Sequence, residues 1–483
     1  MAGDPSGPET DGFARRLAAV GEALDEFARF GHGDPVERRG QWQSLDGPLP
    51  VVGVGADQVM AELIDLVVPN GARIAEPGFW GFVTTGPTTV GVASASAALL
   101  ASPQRYTITA FNHLEEVSLR WLAQLCGLGP HMLGLYSSGG SVANLVGLGV
   151  ARQWVLEQAG LDPAAEGLDG RQLRVYASTE VHHTIQRAAG VLGLGRHNVR
   201  ALATDDRQRI DPSALAAALA EDRRAGRTPV AVVATAGTTN TGAIDPLRAC
   251  GELAHQYGAW FHVDGAYGLP GSLDPRIASR YDGLELADSA IVDPHKWLSA
   301  PVGVAATFVR DRAIMHRAFT QGPADYLEGS FSDDIEASMD HMGVPYSDFG
   351  VELSAPARGV QLWAILRELG VEGVRRRVMF DNDLARRLSD EARDHPRLES
   401  LIEPELSIAC IRYVPDRPES VDLDVLNTTL LRRLVRETPF LPSATIVNGV
   451  YAIRPCFINP RTTVEMVDAF AERLVALGDE VTR

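Results

Sequence analysis

The chain is expected to adopt an α/β fold built around a mostly parallel sheet, and three observations predict it. From about residue 110 to 310, short apolar runs alternate with helical stretches. These runs are apolar at consecutive positions, the pattern of strands buried on both faces. The residues least expected in a core are a lysine, an aspartate and a pair of histidines. They fall just beyond the carboxyl ends of those runs, where open α/β sheets bind ligands.

The first dozen residues, "MAGDPSGPETDG", are polar and acidic, unlike a signal peptide. Phe13, Leu17, Val20, Leu24 and Phe27 then recur at helical spacing. Such a stripe must be buried somewhere, a partner subunit being one place, so residues 1–75 are expected to form an N-terminal helical and dimerisation segment. "TTVGVASASAALLA" (88–101) is too short and too rich in small residues to span a bilayer and predicts a packed helix. "LEEVSLRWLAQLC" and "SVANLVGLGVARQWVLEQAG" follow as helices. Strands are expected at "RVYAS", "VAVVATAG", "WFHVD", "SAIVD" and "GVAATFV", with helices over 182–192, 211–221 and 245–257 between them. The large domain is placed at 76–360. Its last part, 321–352, holds eight acids and no Lys or Arg, shows no periodicity and is expected to be a mobile loop. Residues 361–483 are expected to form a small α+β domain.

The formal net charge of −18 argues against nucleic acid or an anionic membrane as partner. The four cysteines (Cys126, Cys250, Cys410, Cys456) lack metal-ligand spacing and are expected as buried, reduced thiols of a cytoplasmic protein. No metal site is expected.

Four features carry chemistry. "YSSGGSVANL" places Gly140 and Ser141 at a helix start, where free N–H groups suit a phosphate, although Ser-Gly-Gly is also ordinary helix punctuation. Asp264 ends "WFHVD" and would either cap the next segment or pair with a ligand cation. His182 and His183 follow "RVYAS"; adjacent histidines cannot share one helix face, so a single imidazole facing a ligand is the better reading. Lys296 in "DPHKWL" sits between an imidazole and an indole at a strand end, a costly place for a hydrated ammonium and a suitable one for an amine held covalently. Phosphate cradle, carboxylate, imidazole and lysine together match pyridoxal 5'-phosphate.

"HVDGAYG" (262–268) is similar to HVDAAYxG, "DPHKWL" to NPHKWL, and "STEVHHTIQRA" to S-x-x-x-H-x-S-x-x-[KR]-A. By these motifs the chain resembles the group II pyridoxal-phosphate-dependent amino acid decarboxylases, from roughly residue 60 onward. The resemblance implies the aspartate-aminotransferase fold (fold type I, with a mostly parallel seven-stranded sheet) and an intertwined homodimer acting on a small-molecule amino acid. Lys296 would be the Schiff-base lysine, Asp264 the pyridinium partner and His182 the stacking imidazole, with Ala266 opposite. Gly140, Ser141, Asp293 and His295 would surround the phosphate, with Thr239 close by. Tyr326 resembles the family tyrosine that protonates Cα after carbon dioxide leaves.

"EPGFWGFVTTG" (76–86) resembles the family's substrate-pocket segment, which places Phe79, Trp80, Phe82, Val83 and Thr85 near the substrate side chain; Phe79 and Trp80 also read as core. Val83 stands where aromatic-amino-acid enzymes usually carry phenylalanine, and Asp293 replaces the usual asparagine. Arg454 is a candidate for a substrate or loop contact, or equally for an inter-subunit salt bridge. The implied activity is decarboxylation of an L-amino acid, with an aromatic substrate leading. The alternatives are a diamino acid, oxidative deamination or transamination on the same scaffold, and a non-catalytic cofactor-binding protein.

Overall fold

The computed structural model describes residues 12–29, 45–105, 109–320 and 343–482. The chain forms two compact units, Met1–Phe79 and Trp80–Arg483. In the first, the expected amphipathic helix spans Phe13–Phe27. Its apolar residues Phe13, Leu17 and Leu24 are 40–48% exposed within this chain.

The second unit holds the alternating pattern. A seven-stranded sheet contains β2 (Leu133–Ser137), β3 (Leu173–Ser178), β4 (Val199–Leu202), β5 (Thr228–Thr235), β6 (Trp260–Asp264), β7 (Ser289–Val292) and β8 (Ala305–Val309), in the order β2-β8-β7-β6-β5-β3-β4. Strands β7, β6, β5, β3 and β4 are mutually parallel, and β8 runs antiparallel to both β7 and β2. All five strands expected from the apolar runs are present. Strands β2 and β4 were not anticipated, because "LGLYS" and "VRAL" are too short and mixed to stand out. Every residue of β6, β7 and β8 is buried, which is why these strands are apolar at consecutive positions.

Helices between the strands begin where cap residues supply an acceptor. Asp211 accepts from the Ser213 N–H at the start of Pro212–Arg224, and Thr109 accepts from the Asn112 N–H before Ala110–Leu125. The helix Thr89–Ala101 forms as expected, but it is not fully packed. Leu99 and Leu100 are 67% and 66% exposed, so the expected packed helix has an uncovered apolar end in this chain. All four cysteines are buried and free. Among the described residues, no helix is long and apolar enough to cross a membrane.

Helix Gly140–Gln158 lies against the sheet at close range. A Cβ on Gly147 would come within 2.5 Å of the His262 ring on β6, so only glycine permits this approach.

The C-terminal part is built on a long helical element, Gly359–Asp394, interrupted at Gly370, where φ is 61°. Beyond it stands a five-stranded sheet in the order β1-β11-β12-β10-β9, comprising β1 (Phe79–Trp80), β9 (Leu398–Ser400), β10 (Ile411–Tyr413), β11 (Leu441–Val447) and β12 (Val450–Arg454). Helices Leu423–Glu437 and Val464–Thr482 pack on it through Leu430, Leu434, Phe470 and Leu474. The Trp80 indole is fully buried in this core. It stacks on Phe440 at 5.2 Å, meets Phe457 and Phe470 edge-on, and donates its N–H to Thr462 Oγ1 at 2.9 Å. Truncating such a side chain leaves a large cavity and removes three aromatic contacts. Trp80→Ala is expected to lower unfolding free energy by about 3–5 kcal/mol, measured by urea denaturation followed through tyrosine and tryptophan fluorescence.

Candidate active site

The residues expected to act together come from separate parts of the chain but meet at one edge of the large sheet. Gly140, Ser141, His182, Thr239, Asp264, Ala266, Asp293, His295 and Lys296 all line one cavity of about 370 Å³. The carboxyl ends of β2, β3, β5, β6 and β7 lead directly into it, as the rule for open α/β sheets requires.

Helix Gly140–Gln158 opens after Gly139, whose φ of 149° favours glycine, and the N–H groups of Val142 and Ala143 both return to the Gly139 carbonyl. At Gly140 a Cβ would stand 2.7 Å from Asp293 Oδ2, so the chain comes close there only because this residue has no side chain. Asp293 itself is hydrogen-bonded through its backbone N–H to the Ala266 carbonyl. Its Oδ2 lies 3.1 Å from Lys296 Nζ and 3.8 Å from His295 Nε2. His295 is anchored by Nδ1–H, which donates to the Val304 carbonyl at 2.6 Å. The indole of "DPHKWL" belongs to the main core. Trp297 is buried, stacks on Tyr267 at 5.1 Å and donates its N–H to the buried Asp381 at 2.7 Å, fixing the turn that carries Lys296.

Asp264 ends β6 and is 4% exposed. Its Oδ1 accepts the Ala266 N–H at 3.2 Å, and its Oδ2 accepts from Asn144 Nδ2 at 3.0 Å. It therefore does some local capping while keeping a carboxylate edge toward the cavity. His182 is half-buried, with Nδ1 2.8 Å from Thr184 Oγ1 and its ring 4.2 Å from that of His183. Burial lowers its pKa, Lys296 and His183 lower it further, and Asp264 opposes them.

Two polar atoms in the cavity wall, Asp293 Oδ1 and Thr235 Oγ1, are buried without a hydrogen-bond partner among the described residues. Helix start, anionic Asp264, half-buried lysine and unmet polar atoms fit pyridoxal phosphate. Gly140 and Ser141 would receive the phosphate, Asp264 the pyridine nitrogen and Lys296 the aldehyde carbon.

Residues 56–414 match the family described as "Pyridoxal-dependent decarboxylase conserved domain". The chain belongs to the pyridoxal-dependent decarboxylase family. Its relatives include an aromatic-L-amino-acid decarboxylase of Bacillus atrophaeus, 31% identical over 85% of this chain and 83% of the relative. An L-2,4-diaminobutyrate decarboxylase of Acinetobacter baumannii is 25% identical over 96% of this chain and 93% of its own length. The fold resembles that of Oryza sativa TDC solved with PLP and tryptamine, with TM-score 0.87, 26% identity and 99% of each chain covered. This decarboxylase is thus a fold type I, pyridoxal-phosphate-dependent enzyme acting on amino acids.

Other expected site residues lie elsewhere. Trp80 is not placed to meet a substrate, because its ring fills the small-sheet core. Phe82 has φ 57° and a side chain that is 69% exposed. Val83 belongs to the main core, and Thr85 is buried with its hydroxyl unpartnered among the described residues. Phe79 is half-buried at the end of the first unit. Arg454 is 3% exposed, and backbone carbonyls rather than a substrate occupy it: those of Asn240, Phe82 and Thr239, together with Ser443 Oγ. It braces the backbone beside Thr239. Tyr326 lies outside the described residues, as does most of the loop placed at 321–352.

Asn144, Thr184, Thr235 and Tyr267 also line the cavity and were not singled out. Asn144 lies four residues beyond Gly140 on the same helix, a one-turn spacing that was legible.

His262, behind this wall, is fully buried, and burial pushes its pKa from 6.5 down to about 4. The unfolded imidazole takes up a proton near 6.5 and the folded one only near 4. Between those values the unfolded chain binds more protons, so stability falls as pH is lowered, while above 6.5 the contribution is complete. His262→Gln is expected to flatten this part of the acid sensitivity, read from thermal midpoints between pH 6.5 and 4.

Proposed function

We propose that this enzyme converts an aromatic L-amino acid to the corresponding amine and carbon dioxide. The reading is carried by one observation: Lys296, Asp264 and His182 line one cavity in a chain 31% identical to an aromatic-L-amino-acid decarboxylase over 85% of its length. When bound, pyridoxal phosphate supplies the electron sink for the bond broken at Cα. Lys296 would hold the cofactor covalently through its amine. The carboxylate of Asp264 would hold the pyridine nitrogen in its protonated form. His182 would face one side of the bound ring and the small Ala266 side chain the other, since both line the cavity. Tyr326, with His182, delivers a proton to the substrate Cα as carbon dioxide departs.

A diamino acid is the second reading. It is favoured by the acid-rich 321–352 segment and by the similarity to the diaminobutyrate decarboxylase over 96% of the chain. A panel of the twenty amino acids plus ornithine and 2,4-diaminobutyrate separates the two. Amine and carbon dioxide should appear in equal amounts, with no oxygen consumed, fastest for an aromatic substrate. Lys296→Ala should abolish both turnover and the visible absorption of the holoenzyme. Aldehyde and peroxide in place of amine would overturn the reading, and Tyr326→Phe is expected to move the enzyme toward those products.

We also infer that it works as a homodimer. Phe13, Leu17 and Leu24 on the first helix, Leu99 and Leu100 on another, and Val302 at the cavity wall are all 40–71% exposed within one chain. Sedimentation equilibrium should give twice the 51.9 kDa chain mass; a monomer with full activity would remove this inference.

A further inference from the structure

Asn144 is 2% exposed, and its carboxamide joins two groups of the cavity wall. An amide has two N–H donors and one acceptor oxygen. Both donors of Nδ2 are used, one by Asp264 Oδ2 at 3.0 Å and one by Thr184 Oγ1 at 3.1 Å. The anionic carboxylate can only accept, so the amide cannot be turned around without setting two oxygens against each other. Its Oδ1 must then receive a proton from His262 Nε2, 2.9 Å away.

The rest of the chain of bonds follows from this. His262 is neutral, so with its proton on Nε2 the Nδ1 atom accepts from the Ser289 hydroxyl at 2.8 Å. The Ser289 oxygen in turn accepts the Trp260 indole N–H at 2.7 Å. On the other side, Thr184 Oγ1 accepts from Asn144 and lies 2.8 Å from His182 Nδ1, to which it donates if that nitrogen is the acceptor. The Thr184 backbone N–H points at the same nitrogen from 3.4 Å. His182 therefore carries its proton on Nε2. Gly147 is what allows His262 to reach the helix that bears Asn144.

We propose that Asn144 and His262 are positioning residues which hold Asp264 as an oriented anion and His182 as its Nε2–H tautomer through one directional set of hydrogen bonds, Trp260–Ser289–His262–Asn144, branching to Asp264 and, through Thr184, to His182. The proposal deepens the roles given to Asp264 and His182 above and rests on that reading for its catalytic meaning. The bonds themselves belong to the protein alone.

The test uses the full chain. Ring-nitrogen NMR of the 15N-histidine-labelled, cofactor-free protein, with signals assigned from single His182→Asn and His262→Gln variants, is expected to show both histidines as Nε2–H tautomers. A proton on Nδ1 of either ring in the wild type overturns the proposal, with no other variant needed. In Asn144→Leu and His262→Leu, the His182 signal should become a mixture of tautomers. Pyridoxal phosphate affinity, from fluorescence titration, should fall about tenfold in each, and the double variant should be no weaker than Asn144→Leu. His262→Gln places a side-chain N–H where Nε2 was and should restore affinity to within about twofold of wild type. Losses that multiply in the double variant, or an unchanged His182 tautomer in both leucine variants, would also overturn it. Tautomers and cofactor affinity are read without substrate, so a failure to decarboxylate any amino acid leaves this result independent.

Discussion

The site depends on how close helix Gly140–Gln158 comes to strand β6. Gly147 lets the helix rest against His262 with no side chain between them. Moving the helix outward by the width of one methyl group would separate Asn144 from both His262 and Asp264, whose bonds are 2.9 and 3.0 Å long. It would also carry away the helix start at Gly140, where the missing side chain leaves room for Asp293. One packing contact thus sets the distance between the end that suits a phosphate and the carboxylate that suits a protonated ring nitrogen.

Charge is arranged in the same economical way. Lys296 and Asp293 form an ion pair inside the cavity wall, with side chains 20% and 3% exposed, so each offsets part of the other's desolvation. The pair exists because this chain has an aspartate where the family motif has asparagine. It leaves one carboxylate oxygen without a partner among the described residues, in a wall that already includes the unpartnered Thr235 hydroxyl. Around this wall the turns are held rigidly. Trp297 is clamped between Tyr267 and Asp381, and Arg454 spends its guanidinium on the carbonyls of Thr239, Asn240 and Phe82. Supports of this kind keep reacting groups in a single geometry without touching the reactants.

Where the sequence left a choice open, tertiary competition decided it. Trp80 and Phe82 are neighbours of like character in a segment resembling a substrate pocket. Yet one is drawn wholly into an aromatic cluster with Phe440, Phe457 and Phe470 while the other, at φ 57°, points its ring outward. Nothing in "FWGF" decides between those fates, because the decision belongs to residues more than 350 positions away. The partners of Arg454 were hidden for a related reason: a buried guanidinium satisfies its donors with the oxygens nearest to it, and in this fold they include backbone carbonyls.

The alternation of helices with five of the seven strands of the large sheet, and the placing of Lys296, Asp264, His182 and Gly140 at strand ends, were determined by the sequence itself. Consecutive apolar residues can be buried only in a strand covered on both faces, and polar residues at such ends have few structural uses. The family motifs carried the same information. Only the tertiary structure decided which donors meet which acceptors. Asn144, His262 and Ser289 look unremarkable in sequence, separated by 118 and 27 positions. Hydrogen bonds of about 3 Å are directional and short-ranged, so a pattern of residue types cannot specify them until the helix has been set against the sheet.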